Sequence, residues 1–128
     1  MRMSLLAVAV LGGMVAVPAG AEYPWRVLGQ REIHGESGDR QVIDVAGDRR
    51  FIAMRLCVRR QGVSFRQVDV RFQGGDSQTF RIRGVVPNQR CTGDIALRDG
   101  HRALAEVAIS YDSSGLNARG ARLQLHAR

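Results

Sequence analysis

From Trp25 onward, apolar and polar residues alternate with a period of two, the repeat of a strand with one face buried. Arg50–Arg60 shows it most clearly. Ile52, Met54, Leu56 and Val58 fall on one face, and Phe51, Ala53, Arg55, Cys57 and Arg59 on the other. Val27–His34, Gln41–Val45, Thr79–Arg83, Asp94–Leu97, Arg102–Tyr111 and Ala121–Ala127 read as further strands. In Arg102–Tyr111 the expected inward row is Ala105, Val107, Ile109 and Tyr111; in Ala121–Ala127 it is Ala121, Leu123 and Leu125. Val63–Phe72 changes phase, with Val63 and Phe65 in one register and Val68, Val70 and Phe72 in the other. One extra residue in a β-bulge produces such a change.

Turn residues separate these segments. Gly47-Asp48, Gln61-Gly62, Gly74-Gly75-Asp76, Asp99-Gly100 and Ser113-Ser114-Gly115 all stand between apolar runs. Gly84 to Gly93 has no regular period and reads as a long loop. Outside the N-terminal stretch no segment carries an apolar stripe at helical spacing. Strands recurring about every ten residues predict an all-β fold, an antiparallel β-sandwich of about seven to eight strands, with a small β-barrel as the alternative.

The first 21 residues follow another logic. Arg2 precedes an uncharged apolar run from Leu5 to Val17, and Ala19 and Ala21 supply the small residues of an A-x-A cleavage site. This is the three-part layout of an export signal. The run is broken by Gly12, Gly13 and Pro18, and is shorter than the ~20 apolar residues a membrane span needs. The expectation is a signal peptide over 1–21, a single domain over 22–128, and a periplasmic or secreted location.

Export changes the reading of Cys57 and Cys91. In an oxidising compartment two cysteines are expected to form a disulfide. Here it would pin the irregular loop, with a stabilisation of roughly 3–4 kcal/mol from chain entropy. Cys57 lies opposite the main apolar row of its strand, which places the bridge near a strand end or under a covering loop.

The basic residues are all arginine, 19 of them, against 12 acids. Arginine forks suit carboxylate and phosphate. Arg55, Arg59, Arg71, Arg81 and Arg83 alternate against apolar rows and form the candidate anion-binding set, expected on one face. The plainer reading is that arginines solvate the strand faces. Partners consistent with the charge are an anionic envelope component or another envelope protein. Phe51, Phe65, Phe72 and Phe80 mostly follow inward rows and are needed as core, which leaves Tyr23 and Trp25 before the first strand, too small a stacking platform for nucleic acid to be the expected partner.

The spacing of W-x-x-L-G (Trp25, Leu28, Gly29), Phe51 through Val58, Val68-x-Val70-x-Phe72 leading to Gly74-Gly75, Ile95-x-Leu97-x-x-Gly100-x-Arg102 and Val107-x-x-x-Tyr111 resembles a domain-of-unknown-function family of small exported bacterial proteins. The resemblance implies a signal peptide, a β-sandwich and no established activity. Gly100 and Arg102 are its most family-like polar positions, and a hairpin turn and a strand-entry arginine account for them.

Signals for chemistry are sparse. His34, His101 and His126 are far apart and none has a partner at metal-ligand spacing. No serine lies in G-x-S-x-G. No metal, cofactor or catalytic residue is expected. The function expected is a non-catalytic envelope or secreted binding module with an arginine-rich surface. The alternatives are a small envelope hydrolase, or a structural protein whose edge strands recruit a partner.

Overall fold

A computed structural model describes residues 24–128. The export signal expected over 1–21 lies outside the described residues. Ten strands run in chain order: β1 Arg26–Ile33, β2 Arg40–Asp44, β3 Arg50–Phe51, β4 Ala53–Arg59, β5 Val63–Phe72, β6 Ser77–Arg81, β7 Val85–Val86, β8 Ile95–Ala96, β9 Arg102–Tyr111 and β10 Ala121–Ala127. They form two antiparallel sheets, so the sandwich expectation holds and the barrel alternative does not.

One sheet runs β2-β9-β5-β6, with β3 pairing β9 and β7 pairing β5. The other runs β1-β10-β4-β8. The inner faces meet in a core of Ile43, Phe65, Val68, Val70, Phe72, Val107, Ile109 and Tyr111 from the first sheet. Ile33, Met54, Leu56, Val58, Leu123 and Leu125 come from the second. Among the described residues no charged or polar side chain is fully buried, so the charges lie on the outer faces and the loops. No helix of the described residues is long and apolar enough to cross a membrane.

The expected strand Arg50–Arg60 is divided. The chain leaves the six-stranded sheet after Phe51 and enters the four-stranded sheet at Ala53. The inward direction reverses at that crossing. Phe51 is buried although it is out of phase with Met54, Leu56 and Val58, and Ile52 is only half-buried.

Bulges account for two further phase changes. Ser110 faces Gln67 and Tyr111 faces Phe65, which leaves Arg66 as the extra residue of β5. The bulge expected there is present. In β9 the register steps from Leu104 to Glu106, so Ala105 is extra, and Leu104 is buried where Ala105 was expected.

The irregular segment is not wholly loop. Val85–Val86 pairs with Val63 and Ser64 of β5. Residues 89–92 lie along β4, where the Val58 N–H donates to the Arg90 carbonyl at 3.0 Å and the Thr92 N–H to the Leu56 carbonyl at 2.8 Å. Cys57 and Cys91 face each other across this ladder and are joined by a disulfide. Cys57 points away from the core and is still covered, 1 % exposed, because the 89–92 segment and His126 close over it.

Candidate functional site

The five arginines singled out by alternation do not share a face. Arg55 and Arg59 stand on β4, and Arg71 and Arg81 on β5 and β6 of the other sheet, with Arg83 exposed just beyond β6. Alternation tells which side of its own strand a residue occupies. It does not tell which sheet the strand joins.

Their surroundings differ too. Arg55 lies over the Trp25 ring, 4.2 Å from its centroid, and its Nε donates to His126 Nδ1 at 3.3 Å. Arg128 approaches the same ring at 4.9 Å. Arg59 donates to the neighbouring Val58 carbonyl at 3.2 Å. In the same lateral row, Glu32 accepts from Arg122 at 2.7 Å and from Arg60, which holds the Glu32 carboxyl below the usual range. Arg71 is paired with Glu106 at 2.8 Å. Arg81 and Arg83 have no ion pair among the described residues.

A groove of about 300 Å³ gathers Arg81 with two arginines that strand alternation does not single out. Its lining is Asp39, Arg40, Arg66, Gln67, Arg81 and Ser110, on the outer face of the six-stranded sheet. Arg40 opens β2, Arg81 closes β6, and Arg66 is the bulged residue of β5. Bulges re-aim side chains, and both Arg66 and its neighbour Gln67 lie off the buried face. Arg66 meets Asp39 only loosely, at 3.8 Å with both side chains well exposed. Arg40 has no ion pair among the described residues. Of two nearby acids, Asp112, which feels the Arg66 charge, accepts from Ser114 Oγ at 2.6 Å, and Asp69 accepts from Thr79 Oγ1 at 2.6 Å and Gln67 Nε2 at 3.0 Å. The Thr79 bond is the main cause that lowers its pKa, and the Arg40 charge adds to it.

Two other surface cavities are already furnished with internal bonds. Near β3, Arg102 Nη2 donates to both Asp76 oxygens, at 2.7 and 2.8 Å, and its guanidinium lies 3.8 Å from the Phe72 ring centroid. Gly100 sits at φ +80° in the preceding turn. Both family-like positions thus serve the hairpin and the entry to β9. Beside the end of β1, His34 Nδ1 accepts from the Glu36 N–H at 3.3 Å and closes a turn.

The three histidines lie in separate places, after β1, before β9 and within β10. No group of three or more His, Cys, Asp or Glu among the described residues could hold a metal ion.

A disulfide-linked, two-sheet antiparallel sandwich with an arginine-lined groove on one outer face is the class of protein that these features define. The chain belongs to the domain of unknown function family DUF2541, whose profile matches residues 4–127. No curated protein and no solved structure matches it.

Proposed function

We propose that this is an exported, non-catalytic binding module that docks on an anionic partner through the Arg40–Arg66–Arg81 groove. One observation carries the reading. Three guanidiniums from three different strands line one groove, and its only lining carboxylate, Asp39, is a loose 3.8 Å partner of Arg66. Elsewhere on the sheet faces Arg71, Arg102 and Arg122 are held by acids at 2.7–2.8 Å. Positive potential left unneutralised in a concave site attracts anions and steers them. Export rests on the N-terminal pattern and suits the disulfide, since such bonds persist in oxidising compartments.

Retention on a heparin column tests the docking. Replacing Arg40, Arg66 and Arg81 together by glutamine is expected to lower the salt needed for elution. Replacing Arg26, Arg49 and Arg119 by glutamine removes the same charge elsewhere, and is expected to leave retention nearer the parent. Equal retention of the two triple variants would end the proposal. Export is tested by fractionating a producing bacterium: a mature chain beginning near Glu22 is expected outside the cytoplasm.

A further inference from the structure

We infer that the groove is shaped for a terminal phosphate, a phosphomonoester, rather than for anions at large. This rests on the docking proposal and narrows it to one ligand chemistry.

The floor of the groove is a single lateral row of the sheet. Arg40 faces Ser110, Ser110 faces Gln67, and Gln67 faces Arg81. Three strand spacings of about 4.8 Å separate the two ends of that row. One guanidinium therefore stands at each end, with a hydroxyl and a carboxamide between them. Arg66 enters from the bulge, beside Gln67. The Ser110 hydroxyl is half-buried and has no hydrogen-bond partner among the described residues. The Gln67 carboxamide gives one of its two N–H groups to Asp69, so the Ser110 hydroxyl and the second Gln67 N–H are the neutral donors left on the floor.

Geometry separates phosphate from carboxylate. A carboxylate is planar and is satisfied by one guanidinium fork. Three guanidiniums from three strands line the groove, which supplies enough forks for the three terminal oxygens of a phosphomonoester and its charge near −2. The hydroxyl donor adds a contact that charge alone does not require. At about 300 Å³ the groove has the size of one small headgroup and not of a long polymer cleft. Of the carboxylates nearby, Asp69 is taken up by Thr79 and Gln67 and Asp112 by Ser114, and Asp39 is the one that lines the groove itself.

The test uses the chain from residue 22 with its disulfide intact, followed by amide NMR. Glycerol 1-phosphate is titrated against acetate at equal ionic strength. Flotation with vesicles containing phosphatidic acid is compared with phosphatidylglycerol, which carries a diester. The expected result is shifts at Arg40, Gln67, Arg81 and Ser110 with glycerol 1-phosphate and not with acetate. Vesicle binding that prefers phosphatidic acid, over phosphatidylglycerol, would support a lipid source, and response to the free ester alone a soluble one. Ser110→Ala and Arg81→Gln are each expected to weaken the phosphate response, the latter about tenfold. A lysine triple variant at positions 40, 66 and 81 keeps the charge and loses the forks. It is expected to retain heparin binding and lose the preference for phosphate. Equal shifts with acetate, or none at these residues with phosphate, would overturn this inference. Heparin retention that still depends on the three arginines would leave the broader docking proposal standing.

Discussion

His126 Nδ1 lies 3.5 Å from Cys57 Sγ on the neighbouring strand, and it accepts from Arg55 Nε at 3.3 Å. A nitrogen that accepts from a guanidinium carries no proton. The network therefore assigns the hydrogen to Nε2, which donates to Gln124 Oε1 at 3.2 Å. Gln124 in turn donates to Gln30 Oε1 at 3.2 Å. A continuous polar chain crosses the outer face of the four-stranded sheet and ends on the Arg55–Trp25 stack.

The neutral state of His126 couples stability to pH. Partial burial, then the charges of Arg55 and Arg59, hold its pKa below the ordinary value of 6.5. The unfolded chain therefore binds this proton more readily than the folded one. The contribution is fully present above about pH 6.5 and is lost as pH falls through the folded value. Urea midpoints measured between pH 7.5 and 5 are expected to fall less steeply for His126→Gln than for the parent. Identical slopes would show that neither burial nor the two arginines disfavours the charged imidazole.

Removing the disulfide should be costly. Cys57 and Cys91 are 34 residues apart, so replacing both by alanine is expected to lower unfolding free energy by about 3–4 kcal/mol. Urea denaturation at neutral pH measures it. A loss below about 1 kcal/mol would mean that the 89–92 ladder, with Thr92 bonded to Leu56, holds the segment unaided.

Two glycines at positive φ separate conformational cost from collision. At Gly100, φ +80°, an added Cβ meets nothing within 4 Å. At Gly120, φ +75°, it would lie 2.2 Å from the Ile33 carbonyl oxygen. Gly100→Ala is expected to cost about 1 kcal/mol, the penalty of the left-handed backbone. Gly120→Ala adds a backbone displacement at the end of β1 and is expected to cost more than about 3 kcal/mol. Thermal melts of the two variants compare them directly, and equal melting points would contradict the close approach.

Arg102 and Arg71 are both paired arginines, on adjacent strands, with unequal settings. Arg102 is 17 % exposed, stacked on Phe72 and bonded to Asp76, whereas Arg71 is 52 % exposed. Arg102→Ala is expected to lower the melting temperature clearly and Arg71→Ala hardly at all, since exposed pairs contribute little. In 1 M salt the Arg102 effect should persist in part, because its stacking on Phe72 is packing as well as charge.

Much of this architecture was legible along the chain. The two-residue period marked the strands, the phase change within Val63–Phe72 marked a bulge, and the outward position of Cys57 pointed to a bridge under a covering segment. These are local properties, since side chains alternate about a strand whatever it pairs with. The divided strand at Ile52 was not legible. Inward means opposite directions in the two sheets, and nothing near Ile52 says where the chain crosses. Arg66 had a usable signal, as the polar residue at the phase change. Arg40 had none beyond opening a strand.

By itself, then, the sequence determined the all-β character, the longer strands, the cysteine pair and the arginine excess. Only the tertiary structure decided which arginines become neighbours. Arg40, Arg66 and Arg81 are separated in the chain and meet because β2, β9, β5 and β6 lie side by side in register. Arg55 and Arg59 go to the opposite outer face because β4 pairs with β10. Strand order is set by long-range pairing over a shared core, and a local pattern of alternation is compatible with many such orders.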